Sequence, residues 1–375
     1  MKALIKGFLA LLVIGCIVIG AGAYWLHGQA TALLTTPLSV LGEEHTFVVD
    51  KGMSTRGVLR RLDREGISDE IEWSWIGFGR LSDSDWRWVA LRLYARDGHD
   101  LPVVKVGEYR VDSGWTMLEL LEHLASGKVI TYAVTVPEGL RVDEICRKLS
   151  KSPLFEYQAL RKATRSKPFA DQLGLPGLPA KIANHPQAER FEGWLFPTRY
   201  DVPRGTTERK MLEIMVRQTQ TVLARPKVQE GMRRHGWKES TVLKLASVVE
   251  KETADPSERP EISAVFHNRL RLGMKLQTDP TIIYGLVNYQ GDIRRRDILD
   301  PHPWNLYVHH GLPITPIAAP GAEAIEAAVA PNVSRNLYFV SRNDRTHEFC
   351  PTLRCHNRAV KKWQIDYFRK KRSGR

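Results

Sequence analysis

The feature that most constrains this chain is an uncharged apolar run at residues 7–26. Lys2 and Lys6 precede it, and no Lys or Arg follows until Lys51. Leu, Ile, Val, Ala and Gly dominate the run. About 20 such residues cross a bilayer as one helix. The charge asymmetry places residues 1–6 in the cytoplasm and everything after about residue 27 outside it. Two processing alternatives share the segment. Ala21-Gly22-Ala23 resembles a small-residue signal-cleavage site, and Val13-Ile14-Gly15-Cys16 resembles a lipoprotein cleavage box. The run is longer than the apolar core of a cleaved signal (about 7–15 residues), and more apolar residues, not a polar tether, follow Cys16. A single-pass, uncleaved anchor is therefore expected. All three routes export the body of the protein.

Export decides how the charge is read. The 375 residues carry 55 Lys and Arg against 42 Asp and Glu, a formal charge of +13. Such an excess suits nucleic acid, anionic lipid or an acidic polymer. Outside the cytoplasm nucleic acid drops out, which leaves the cytoplasmic membrane surface and a carboxylate-bearing wall polymer. Lys361, Lys362, Arg369, Lys370, Lys371, Arg372 and Arg375 lie at the C-terminal end, so much of the excess belongs to a basic helix end and tail. A hydrophobic fraction of 43% excludes wholesale disorder and a multi-span membrane protein.

Of the four cysteines, Cys16 lies in the anchor and Cys146 in a helical pattern that buries it. Cys350 and Cys355 bracket Pro-Thr-Leu-Arg and can pair in an oxidising compartment. His347 and His356 raise the idea of zinc, but a zinc site needs more ligands. The expectation is surface histidines beside a small disulfide loop, with no metal.

A repeat organises the first part of the exported chain. Val48-Val49-Asp50-Lys51-Gly52 leads into Val58, Leu59 and Leu62, and Val134-Thr135-Val136-Pro137-Glu138-Gly139 leads into Ile145, Cys146 and Leu149. From Gly52 to Leu62 and from Gly139 to Leu149 the spacing is identical. Each copy reads as a strand, a Gly turn and an amphipathic helix. Between them lie a strand at residues 106–111, a helix carrying Met117 to Leu124 that Ser113 or Thr116 can cap and Gly127 ends, and a strand from Val129 to Val136. Such units resemble LysM-like carbohydrate-binding modules; the alternative is an α+β spacer without a ligand. Trp73, Trp75, Trp86 and Trp88 read as core residues of intervening helices rather than sugar platforms.

The stretch from Leu243 to Thr253 carries the chemistry. At about 100° per residue, Val242, Leu245, Ala246 and Val249 share one helix face, and Glu250 and Glu252 fall roughly 80° to either side of it. A carboxyl at the border of a cleft has its pKa raised and can act as a general acid near neutrality. Helix geometry alone does not separate the two, nor either from a solvated surface glutamate. Two residues this far apart around the axis do not flank one bond, which argues against a two-carboxylate hydrolase. A second helix ends at Gly273, and Asp279-Pro280 starts a third, with Asp279 as its cap. Turns rich in amides and hydroxyls follow, as a sugar site requires.

These residues resemble a known family. Ala246-Ser247-Val248-Val249-Glu250-Lys251-Glu252, Val265-Phe266-His267-Asn268-Arg269-Leu270, Met274-Lys275-Leu276-Gln277-Thr278-Asp279-Pro280-Thr281 and Trp304-Asn305-Leu306-Tyr307 are similar, in order, to motifs of the YceG-like family. Phe191-Glu192-Gly193, Gly107-Glu108-Tyr109-Arg110, Leu337-Tyr338-Phe339-Val340 and His356-Asn357 match as well, so the resemblance covers about residues 45–368. It implies an α+β fold: an N-terminal transmembrane helix (7–26), a linker (27–44), LysM-like strand–helix modules (45–150), a connecting segment (151–205), a mainly helical α+β catalytic domain (206–369) and a basic tail (370–375).

The activity implied is that of a membrane-anchored endolytic murein transglycosylase on the periplasmic side of the inner membrane, acting on peptidoglycan glycan strands without a cofactor. The catalytic acid and base falls on Glu252 by that resemblance. Gln277, Asn305, Ser247 and Tyr307 are the candidates to hold the sugar and its acetamido group. Penicillin-binding proteins and other wall-synthesis enzymes are the protein partners it implies. The chain departs from the family pattern in the loop at residues 311–317, in the hairpin at residues 343–347, which lacks the usual glycine, and in the Cys350/Cys355 pair.

Overall fold

The computed structural model describes residues 2–39, 42–71, 82–253, 255–287 and 289–373. It divides into two compact units: residues 1–132 with 202–205, and residues 133–201 with 206–375.

The first unit begins with helix α1, Lys2–Thr35, within which Leu11–Thr35 is long and apolar enough to cross a membrane. Its apolar side chains are exposed along the expected span, Ile19 by 74% for example. The helix does not stop at residue 26. Ala30, Leu34 and, beyond the helix end, Leu38 are buried in the unit's core, so the start of the expected linker at 27–44 is instead helical and packed. The apolar alternation had no break to mark this, because a membrane face and a core face share one composition.

Strands β1 (Glu44–Val49) and β2 (Gly107–Asp112) pair antiparallel, from Glu44 opposite Asp112 to Val49 opposite Gly107. Phe47, Val49, Tyr109 and Val111 point from this ribbon into the core. Helices α2 (Thr55–Glu65), α3 (Asp83–Arg96) and α4 (Met117–Ser126) cover it, each with an oxygen side chain at its N-cap: Ser54, Ser82 and Thr116. Of the two caps considered for α4, Thr116 is used, in a capping box with Glu119, and Gly127 ends the helix in the left-handed region. Arg87 is buried in ion-pair contact with Asp63 at 2.7 Å and ties α3 to α2. Trp88 packs against the core, as expected; Trp86 is half-buried, and Trp73 and Trp75 lie outside the described residues.

The second unit starts on the second copy of the repeat. Strand β3 (Thr131–Thr135), Gly139 at φ 76° and helix α5 (Val142–Leu149) repeat β1, Gly52 at φ 83° and α2. Ile145, Cys146 and Leu149 are fully buried, as are their counterparts Val58, Leu59 and Leu62. The turn of this second copy is held by residues far along the chain: Gly139 N–H donates to Ala319 O at 2.9 Å and Ala319 N–H to Leu140 O at 2.8 Å. The division at residue 132 therefore falls inside the expected 45–150 region. Local pattern shows that two segments are alike and is silent on which core each joins.

Helices α6 (Tyr157–Thr164) and α7 (Lys167–Gln172) and strand β4 (Arg199–Pro203) fill the connecting segment. The larger helical body follows: α8 (Glu208–Leu223, capped by Thr207), α9 (Pro226–His235), α10 (Glu239–Glu252), α11 (Arg259–Arg271), α12 (Asp279–Gly285), α13 (Arg295–Leu299) and α14 (Ala322–Val329). The β5–β6 hairpin (Tyr338–Ser341, His347–Cys350) and α15 (Leu353–Val360) close it, and a π-helical turn, Lys361–Asp366, leads into α16 (Tyr367–Ser373). The mixed helix and strand content agrees with the α+β expectation.

Candidate active site

Helix α10 brings the two candidate carboxylates to one place and separates them there. Val242, Leu245, Ala246 and Val249 are fully buried, which confirms the predicted face. Glu250 leaves one side. Its Oε1 lies 3.0 Å from Arg259 Nη2, and its Oε2 accepts the Gly321 N–H at 3.1 Å. The same guanidinium, itself only 6% exposed, contacts Glu138 at 3.0 Å and Glu323 at 2.6 Å. A Cβ at Gly321 would stand 1.7 Å from Glu138 Oε1 and would displace that side chain from the network. Glu250 is therefore committed on both oxygens to a buried ion network.

Glu252, the last residue of α10, leaves the other side into a cleft of about 430 Å³. That volume lies in the range of small-molecule sites (about 300–1,000 Å³). Burial pushes its carboxyl up to about 7; the nearby Asp279 carboxylate adds to this, while a hydrogen bond from the Thr278 hydroxyl and the charge of Arg269 work against it. A carboxyl raised this far keeps protonated and ionised forms both within reach near neutrality, the condition for giving a proton and taking one back.

The loop after α11 forms the next wall. Gln277 has φ 49°, a left-handed conformation unusual for a residue with a Cβ, and its N–H donates to Leu306 O at 3.1 Å. This turn exposes the Gln277 amide beside Glu252 while Leu276 and Thr278 on either side stay buried. Contrary to the expectation, Asp279 does not cap α12; Thr278 takes the cap position and Asp279 stands one residue inside. Its carboxylate lines the cleft and accepts the Tyr307 hydroxyl at 2.7 Å. Burial and that carboxylate raise the Tyr307 phenol, so it remains a donor at all ordinary pH.

Arg269 braces the cleft from within. Its guanidinium donates to Leu337 O and Leu276 O, each at 2.7 Å, and lies 5.2 Å from the Tyr338 ring centre. Burial lowers its pKa, and its donors are spent on carbonyls. Tyr338, Phe339, Leu353 and His356 complete the lining.

Three of the five residues expected at the site thus meet in one cleft: Glu252, Gln277 and Tyr307. Asn305 and Ser247 do not line it, and the expectation for both is corrected. Asn305 is fully buried. Its amide nitrogen donates to Asp297 O, Ile298 O and Asp300 O at 3.3, 3.0 and 2.6 Å, and its Oδ1 accepts the Tyr307 N–H at 2.9 Å. It shapes the loop that presents Tyr307. Ser247 is also fully buried; it donates to Lys244 O at 2.9 Å and accepts the Ile317 N–H at 3.0 Å, which pins the divergent loop at residues 311–317. Both were read as sugar ligands because a polar residue in a motif looks the same whether it serves a ligand or a buried backbone.

The surface-histidine reading is corrected as well. Cys350 and Cys355 form the disulfide, with Cα atoms 5.6 Å apart. His347 is half-buried, its Nδ1 2.7 Å from Glu258 Oε2. His356 forms part of the cleft wall. Arg269, Thr278 and His356 escaped the first reading although each stands in a motif quoted above; only the fold shows that these motifs converge.

A protein from Bacillus subtilis named endolytic murein transglycosylase is 28% identical over 269 residues, 69% of this chain and 73% of that protein. Two Streptococcus pneumoniae proteins of the same name are 26% identical over 260 residues, 64% of this chain and 46% of theirs, so the chain spans less than half of their length. A crystal structure of a YceG-like protein from Listeria monocytogenes superposes with a TM-score of 0.54 at 23% identity over 84% of this chain and 98% of that one, a likeness of fold. The family model described as YceG-like matches residues 47–362, which include every cleft residue described above, and the chain belongs to that family.

Proposed function

We propose that this protein is a peptidoglycan lytic transglycosylase that cleaves the β-1,4 bond between N-acetylmuramic acid and N-acetylglucosamine within glycan strands. The observation that carries the reading is Glu252: a carboxyl raised to about 7, on the wall of a polar cleft, in a chain whose relatives bear the name endolytic murein transglycosylase.

The chemistry follows from one carboxyl used twice. Protonated Glu252 gives its proton to the glycosidic oxygen as the C1–O4 bond breaks. The resulting carboxylate takes the proton of the muramyl C6 hydroxyl, whose oxygen bonds to C1. A 1,6-anhydro ring forms, no water is consumed and Glu252 ends protonated as it began. The substrate supplies the nucleophile that a glycosidase draws from a second carboxylate or from water. The Gln277 amide and the Tyr307 hydroxyl hold the sugar beside Glu252. The Asp279 carboxylate favours the positive charge that develops at C1. Helix α1 anchors the chain in the cytoplasmic membrane with residues 1–6 inside and the cleft outside, a reading supported by Lys2 and Lys6 before the apolar run.

One feature favours a second reading. Asp279 is a second carboxylate in the same cleft, as hydrolysis requires. Product masses separate the two, because a hydrolytic end is heavier by one water than an anhydro end. Purified strands are to be digested with the full chain in detergent and with E252Q. Anhydro-muramyl ends from the wild type, reduced by about 10²-fold or more in the variant, are expected. Reducing ends would overturn the non-hydrolytic step, and an unimpaired variant would remove Glu252 from the mechanism.

A further inference from the structure

His356 carries an unusual combination of constraints. Its Nδ1 is buried and has no hydrogen-bond partner. Its ring stacks on Tyr338, with centres 5.2 Å apart, and Tyr338 lies in turn under Arg269. Its main-chain N–H donates to Thr352 O at 3.0 Å, and the residue before it, Cys355, is bonded to Cys350. Ring and backbone are both held, yet neither ring nitrogen has a hydrogen bond to the protein among the described residues. A buried polar atom left without a partner asks for an explanation.

We propose that His356, with Leu353, forms a subsite for the N-acetyl group of the bound sugar, with the His356 Nε2–H donating to the acetamido carbonyl. The argument concerns which nitrogen carries the proton. A proton on Nδ1 would be a buried donor without an acceptor, which costs more than a buried lone pair. The proton therefore resides on Nε2. Full protonation would load Nδ1 as well; burial and the charge of Arg269 lower the imidazole's pKa accordingly. The ring is thus a neutral donor with one usable hand, and it stands in the wall of the cleft that holds Glu252. Leu353 in the same wall is exposed and offers apolar contact to a methyl group. One donor beside an apolar side chain suits an acetamido group better than a hydroxyl or a carboxylate. The disulfide closes the short loop that carries Leu353 and adjoins His356, so both subsite residues are positioned by a feature not shared with the family pattern.

This subsite rests on the lytic reading above. The test uses the full chain in detergent, fully N-acetylated strands, and the same strands after enzymatic de-N-acetylation. For H356A a KM about tenfold higher on acetylated strands is expected, with kcat within about twofold and no KM change on de-acetylated strands. H356Q, whose amide nitrogen reaches the place of Nε2, is expected to recover affinity to within about threefold. H356F keeps the stack on Tyr338 and is expected to behave like H356A. A KM penalty in H356A equal on both strands would overturn the subsite, as would full recovery in H356F, which would make the ring a packing element. If the wild type cleaves and H356A matches it on both strands, the subsite alone is lost. If the wild type neither cleaves nor binds acetylated strands, the lytic reading and the subsite fall together.

Discussion

The two sides of the last turn of α10 put the same side chain to opposite uses. Burial raises both carboxyls, but on one side the Gly321 N–H and Arg259 oppose the rise, and Glu250 joins a network that binds α10 to Glu138, α11 and α14. On the other side Glu252 meets a hydroxyl and a neighbouring carboxylate, so its charge is unwelcome and its proton is retained. The lesson is that burial alone does not make an acid catalyst. Burial with a cation in direct contact makes a strut, and burial with only a more distant cation leaves a carboxyl raised to about 7 at the cleft.

The contrast breaks or sharpens on four measurements. The largest effect is the pH dependence of kcat/KM. With Glu252 as the acid, the rate is expected to fall about tenfold per pH unit above about 7, and E252Q to abolish that limb. A limb that persists in E252Q would move the acid elsewhere. Next comes R259M, which strands the buried Glu250 carboxylate, while Glu138 and Glu323 are exposed to solvent. A loss of about 3–5 kcal/mol in urea unfolding is expected, and an unchanged midpoint would show that the network is not a strut.

A smaller effect of opposite sign is expected from E252Q on stability. Below pH 4.5, the ordinary value, Glu252 is protonated folded and unfolded alike and contributes nothing. Between 4.5 and about 7 the unfolded chain ionises while the folded chain resists, so stability falls as pH rises. E252Q removes that penalty. It is expected to stabilise the protein at pH 8 by on the order of 1–3 kcal/mol and by nearly nothing at pH 4. An equal gain at both would mean that the charge is not the cause. The smallest effect lies away from both carboxylates. Arg345 has φ 77° in the β5–β6 turn, where the family pattern carries a glycine. R345G is expected to raise stability by about 0.5–1 kcal/mol, and a loss would show that the arginine side chain contributes more than its backbone costs.

What the sequence reveals here follows the range of each interaction. The cap of α4, the buried face of α10 and the repeat from Gly52 and Gly139 all arise from contacts within a few residues, and all are legible in spacing. The choice between Glu250 and Glu252 is not, because it turns on Arg259, Gly321 and Glu138, the last more than a hundred residues away. The resemblance to known motifs points to Glu252, and the structure puts Glu252 rather than Glu250 on the cleft wall. Motifs mislead where polar residues serve the backbone: Asn305 and Ser247 belong to the cleft's foundations, and His356, taken for a surface residue, belongs to its wall.

The first helix has a mechanical consequence. α1 runs from Lys2 to Thr35 without interruption, and its last turns are embedded in the core of the first unit. If its apolar part spans the membrane as proposed, that unit is mounted on a rigid post rather than a leash. A flexible leash would let the unit wander through the depth of the wall. A post fixes its altitude, and residues 27–35 add roughly 13 Å of it at the helical rise. Such a mounting works like a ruler set on the bilayer, choosing which layer of the wall the first unit can touch.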